Sequence, residues 1–135
     1  MQSIIGGAYN GKRKFVKQLL EGQRVHFFEG EIPDRPFTKE EYVVIGGFEK
    51  MIPMFGDLTE DEIVNQLMDK LRKLDEETNL ICICTEIGRG IVPLSKDDRH
   101  LRDTCGRLYQ QLFKRSEKVI RVWYGIPEIL KENRE

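Results

Sequence analysis

The chain has 135 residues, enough for one domain with a real core and no need of disulfides or a structural metal. Its formal net charge of −1 supplies no basic field for nucleic acid, and no apolar run is long enough to span a membrane. No signal peptide is read, and Cys82, Cys84 and Cys105 form no disulfide framework, so the expected compartment is the cytoplasm.

Ser3-Ile4-Ile5 predicts a short buried first strand, and Phe15, Val16, Leu19 and Leu20 predict the inner face of a helix from about Lys12 to Glu21. Between them lies Gly6-Gly7-Ala8-Tyr9-Asn10-Gly11-Lys12-Arg13. Gly-x-x-x-x-Gly-Lys at a strand-to-helix junction is the phosphate-loop pattern. Its glycines let backbone N–H groups turn around an anion, the helix aims its positive end there, and Lys12 adds a mobile charge. Gly6 to Arg13 are therefore the predicted nucleotide-binding residues, with Lys12 also a predicted catalytic residue. Arg13 stands where the pattern carries the Ser or Thr hydroxyl that holds Mg²⁺, which favours phosphate binding over phosphoryl transfer. A glycine-rich turn needed only for packing is the plainer reading.

Gly22 stops the helix, and Arg24 to Phe28 predicts strand two, with His26 a satisfied strand histidine rather than a catalyst. Glu29 to Lys39 reads as a loop, and Glu40 to Gly46 as strand three. At the end of such a strand a Mg²⁺-binding carboxylate is common in this kind of fold. Here Gly46-Gly47 occupy the place, and Glu49 is the nearest acid. Phe48 to Phe55 reads either as a short helical turn broken by Pro53 or as an irregular segment. Thr59 and Glu62 form a capping box, and Ile63, Leu67, Leu71 and Leu74 form the core stripe of the clearest helix. Asp69, Lys70, Arg72 and Lys73 are its solvated face, and Thr78-Asn79 break it.

Leu80 to Cys84 predicts strand four, apolar on both faces as a buried parallel strand should be. Cys82 and Cys84 share one face and read as buried thiols rather than metal ligands. Glu86 follows at the carboxyl end of this strand, where open α/β sheets collect ligands. It suits a Mg²⁺ or proton partner, and equally a loop carboxylate that pairs with Arg89 or caps a turn. Ser95 and Asp98 cap a helix from about Lys96 to Arg115, buried along Leu101, Cys105, Leu108 and Leu112. Arg99, Arg102 and Gly106 lie along another face, fit for a phosphate or a neighbouring subunit; the alternative is surface pairing of Arg102 with Asp103 or Asp98. His100 belongs to no distinctive constellation. Lys118 to Trp123 is strand five, Gly125-Ile126-Pro127 a turn, Glu128 to Lys131 a final helical turn, and Lys131 to Glu135 a frayed end. The alternation of strands and helices predicts an α/β layer fold with a mainly parallel sheet and right-handed crossovers.

Several of these stretches taken together resemble one family. They are Glu86-Ile87-Gly88-Arg89-Gly90-Ile91-Val92-Pro93, Arg99-His100-Leu101-Arg102-Asp103-Thr104-Cys105-Gly106, Gln110 or Gln111, and Gly125-Ile126-Pro127, with Gly6-Gly7-Ala8 and Gly11-Lys12 at the start. The pattern is similar to the adenosylcobinamide kinase/adenosylcobinamide-phosphate guanylyltransferase family of cobalamin biosynthesis. The likeness is strong from about Leu80 onward, clear at the first loop and weak between Glu21 and Asn79. It implies a P-loop NTPase-like (RecA-like) three-layer fold, a homotrimer, and ATP or GTP as substrate with Mg²⁺. It also implies phosphorylation of the aminopropanol hydroxyl of adenosylcobinamide, then GMP transfer through a histidine intermediate. Glu86 becomes an active-site carboxylate, and Arg102-Asp103 part of the family motif. The chain departs from the family at Arg13, at Gly46 or Gly47, and at Tyr109 where the motif has Asn. It also lacks the segment that carries the guanylylated histidine. Two functions follow: the kinase half acting on a corrinoid, or a catalytically degenerate module that binds a nucleotide or corrinoid. A structural protein with no small ligand is the third.

Overall fold

The computed structural model describes residues 1–8, 10–87 and 95–133. In chain order the elements are β1 (Gln2–Gly6), α1 (Lys12–Leu19), β2 (Arg24–Glu29), β3 (Glu41–Gly46), α2 (Phe48–Met51), a 3-10 turn (Ile52–Phe55), α3 (Glu60–Glu77), β4 (Asn79–Thr85), α4 (Lys96–Arg115), β5 (Lys118–Trp123) and β6 (Ile126–Glu132). The strands form one sheet in the order β2-β3-β4-β1-β5-β6. Every neighbouring pair is parallel except β5 with β6, which is antiparallel. The expected α/β fold with a mainly parallel sheet is what the chain adopts.

Strand periodicity divides the core in two. Val43 and Ile45 of β3, with Leu80, Cys82 and Cys84 of β4, pack beneath α2, α3 and α4. Their alternates Val44, Ile81 and Ile83 face Val16 and Leu20 on the α1 side, together with Ile4, Ile120 and Val122. Both faces of the central strands are thus covered, which is why β4 reads as an unbroken apolar run. Ile63, Leu67, Leu71 and Leu74 are buried as their spacing predicts, joined by Val64 and Met68. Thr59 accepts the Glu62 backbone N–H at 3.2 Å, and Ser95 accepts that of Asp98 at 3.0 Å, so both predicted caps form. The α3 helix ends before Thr78-Asn79 as expected. Asn79 then opens β4, and its Nδ2 donates to the carbonyls of Lys39 and Glu41.

Three expectations need correction. The chain after Gly125 is the strand β6, not a helical turn. Tyr124 and Gly125 take φ of 49° and 78°, and two successive positive φ values make the tight hairpin that matches strand twist. Lys131 does not fray: its Nζ donates to the carbonyls of Phe113 at 2.9 Å and Lys114 at 3.0 Å. The α1 helix stops at Leu19, which is 47% exposed, so that side chain leaves the inner face it was assigned. The ambiguous Phe48–Phe55 stretch is two short helical turns in succession, with Pro53 inside the second.

All three cysteines are buried as free thiols. Burial pushes the Cys82 and Cys105 thiols up to about 12, and Cys84 well above the ordinary range. The thiolate is the reactive form, so the folded chain should give no colour with a disulfide reagent at about pH 8, and all three should titrate in denaturant. Fast reaction of any one in the folded state would contradict this burial.

Candidate phosphate site

The order of strands places the site. From β1 the chain crosses α1 to the far edge at β2, whereas from β4 it crosses α4 on the opposite face to β5. The exits of the neighbouring strands β1 and β4 therefore diverge, and a crevice opens beyond their carboxyl ends. Gly6 pairs with Thr85 across this boundary, and the Glu86 N–H donates to the Gly6 carbonyl at 3.0 Å. Gly11 holds φ of 86° at the N-terminus of α1, and no side chain caps that end. The first amide groups of α1 thus lack the side-chain acceptor a helix start usually has.

Lys12 opens α1 and is 3% exposed. Its Nζ donates to the Gly7 carbonyl at 2.7 Å. Burial, then the neighbouring Arg13 charge, holds its pKa below the ordinary lysine value, with Glu49, Cys84 and Glu86 opposing the shift. Arg13 turns towards the end of β2. Its Nη2 donates to both carboxylate oxygens of Glu29, at 2.5 and 2.6 Å, and its Nε to Oε2 at 3.1 Å. Lys50 on α2 reaches the same carboxylate at 3.4 Å. Burial would raise the Glu29 pKa, but Arg13 and Lys50 together hold it below 4.5. A depressed carboxylate pKa is stability present at neutral pH and lost as the pH falls through that value.

Glu29 lies beside Gly46 in the β2–β3 register. A Cβ on Gly46 would sit 2.9 Å from Glu29 Oε2 and 3.0 Å from Arg13 Nη2. Gly47 has φ of 74°, and a Cβ there would meet the Gly30 backbone nitrogen at 2.7 Å. The two glycines at the strand end thus leave room for the Arg13–Glu29 pair. In the first turn of α2, Glu49 Oε2 is buried with no hydrogen-bond partner among the described residues. These groups surround a cavity of about 770 Å³, lined by α1, the ends of β2, β3 and β4, and α2. That is the size of a pocket for a nucleotide-scale ligand.

Of the loop residues, Ala8, Asn10, Gly11, Lys12 and Arg13 line the cavity. Gly6 lies behind it against β5, Gly7 supplies the carbonyl that holds Lys12, and Tyr9 falls outside the described residues. Glu86 is not among the lining residues. Its carboxylate lies 3.7 Å from Arg121 Nη2 on β5 and within electrostatic reach of Lys12. Its predicted alternative partner Arg89, and the rest of Gly88 to Pro93, fall outside the described residues. Arg102 and Asp103 pair with each other at 3.1 Å on the surface of α4 and do not line the cavity. His26 is bonded to Glu41 across the β2–β3 pair at 2.6 Å, and His100 to Glu60 at 3.3 Å. Sequence reasoning missed Glu29 and Lys50. The signal for Glu29 was available: it ends the strand that pairs with β3.

A family model described as cobinamide kinase / cobinamide phosphate guanyltransferase matches residues 37–130. The chain belongs to this family. The family works in cobalamin biosynthesis and draws on nucleotide substrates. No curated protein matches the chain. The matched stretch holds Gly46 to Glu49, Glu86 and Arg102-Asp103 but starts after the glycine-rich loop, whose assignment rests on its own geometry. No helix among the described residues is long and apolar enough to cross a membrane.

The donor set does not fit a protein-held Mg²⁺. A guanidinium stands at the hydroxyl position and glycine at the strand end. No three His, Cys, Asp or Glu side chains among the described residues come together as ligands. Glu49 Oε2 is a single oxygen among the charges of Lys12, Arg13 and Lys50, so water and phosphate oxygens would have to supply the rest of the octahedral shell of a Mg²⁺ ion.

Proposed function

We propose that the chain binds the phosphates of ATP or GTP at the Gly6–Arg13 loop and acts as the kinase half of its family on adenosylcobinamide. The observation that carries this reading is Lys12. It is buried at the start of an uncapped helix, in a cavity of nucleotide size that also holds Glu49. A terminal phosphate would replace the Gly7 carbonyl as the partner of Nζ, and the first amides of α1 would point at the same oxygens. The acceptor hydroxyl oxygen would attack the γ-phosphorus as the bond to the bridging oxygen breaks and the nucleoside diphosphate leaves. Glu49 Oε2, buried without a hydrogen-bond partner among the described residues, would take the hydroxyl proton. Lys12 would neutralise charge on the transferring group, so catalysis here is positioning and electrostatics. Glu86 would act through Lys12 and Arg121 rather than touch the substrate.

Guanylyl transfer through a histidine has no such side chain at this cavity among the described residues. Neither His26 nor His100 lines the cavity, and each is bonded to a carboxylate. The homotrimer and a cytoplasmic location are carried over from the family as proposals.

The test is incubation of the protein with labelled ATP or GTP, Mg²⁺ and adenosylcobinamide. Phosphorylated corrinoid at catalytic turnover is the expected result. Tight nucleotide binding without product would replace it with the second reading, a degenerate binding module, which the Arg13–Glu29 pair at the metal position favours.

A further inference from the structure

Two departures from the phosphate-loop pattern lie far apart in the chain and meet at one point. Arg13 takes the place of the metal-holding hydroxyl, and Gly46 the place of the strand-end carboxylate. Glu29, beside Gly46 in the sheet, joins them. The Arg13–Glu29 pair lies so close to Gly46 that a Cβ there would press on the ends of both side chains. The cavity wall carries Lys12, Arg13, Lys14, Lys17 and Lys50 against the carboxylates of Glu29 and Glu49. This surplus of positive charge is what a bound Mg²⁺ ordinarily supplies to a polyphosphate.

Resting on the nucleotide reading above, we propose that the cavity takes a nucleoside triphosphate without a divalent metal, with Arg13 in the role of the missing cation. The bonds to Glu29 use Nε and Nη2, so the Nη1 donors stay uncommitted to that pair. A guanidinium is planar, permanently charged and shaped to the oxygens of a phosphate. Glu29 holds it in place before any ligand arrives, so less side-chain entropy is lost on binding. A divalent ion at this point would meet a guanidinium where it needs an oxygen, with the Lys12 and Lys50 ammonium groups adding repulsion.

The experiment is calorimetric titration of the whole chain with ATP, once in EDTA and once in Mg²⁺. Affinity in EDTA within about threefold of that in Mg²⁺ is expected, since the protein supplies the charge that the metal would. Arg13→Ser should lower the EDTA affinity about tenfold, the loss of one charge-assisted hydrogen bond. Arg13 is exposed, so this variant keeps the fold, which circular dichroism checks. Arg13→Ser with Gly46→Asp restores both oxygen donors and should make binding metal-dependent. Binding by the natural chain in Mg²⁺ only would overturn the inference and leave the nucleotide reading standing. Binding in neither condition would overturn the nucleotide reading and the inference with it. Unchanged EDTA affinity in Arg13→Ser would remove Arg13 from the role.

Discussion

Lys12→Met is expected to lower ATP or GTP affinity by about two orders of magnitude while the chain stays folded. Each charge-assisted hydrogen bond is worth about 1.5–3 kcal/mol, and each 1.4 kcal/mol is about tenfold in affinity. Two such bonds to phosphate oxygens account for the loss. Methionine keeps the unbranched stem that packs against Gly6 and removes only the ammonium. The stability change should be small because two effects oppose each other. The Gly7 carbonyl loses its donor, and the cost of burying a charge disappears. The lowered Lys12 pKa makes a further statement about pH. The folded chain holds this proton less firmly than the unfolded chain, so the burial cost is relieved as the pH rises through the depressed value. Nucleotide affinity should fall over the same interval, below the ordinary lysine pKa. Calorimetry across pH and a urea midpoint measure both. Unchanged affinity in Lys12→Met would show that the anion binds elsewhere.

Gly6→Ala is expected to destabilise the chain by about 3 kcal/mol or more, a large part of the usual net stability of a domain. The new Cβ would sit 2.4 Å from the Val122 carbonyl oxygen. That atom is backbone, and Val122 is a fully buried residue of β5, so no side-chain rotation relieves the contact. β1 in turn is held between β4 and β5 and cannot move aside. Gly106→Ala is the matched control. It lies within α4 with open space around its Cα and no positive φ, so the same change should stabilise by about 0.5–1 kcal/mol. Urea midpoints of the two variants should move in opposite directions. Equal shifts would mean that β1 and β5 are not packed as described.

The consequence reaches function, because the crowding at Gly6 and the departure of the loop are one event. The strand passes against β5 until its last residue, and the chain then leaves the sheet with Lys12 folded back over it. Loss of that close passage would displace the loop along with the strand.

Much of this was written in local pattern. The apolar run of β4, the 3.6-residue stripe of α3, the caps at Thr59 and Ser95, and the glycine-lysine loop each depend on neighbours within a few residues, so their chemistry is visible in order along the chain. β6 was not legible, since a tyrosine at positive φ is no turn signal and Ile126 to Glu132 gains its strand form by pairing with β5. The pairing of Arg13 with Glu29 was not legible either. It exists because α1 and the end of β2 converge above Gly46, which only the strand register brings about. By itself, then, the sequence determined the layers, the glycine-lysine pattern between β1 and α1 and the family likeness, because periodicity and turn chemistry act over one or two turns of chain. The tertiary structure alone decided which charge faces which, setting Glu29 against the Arg13 guanidinium, because side chains remote in sequence interact only after the sheet has set their distance.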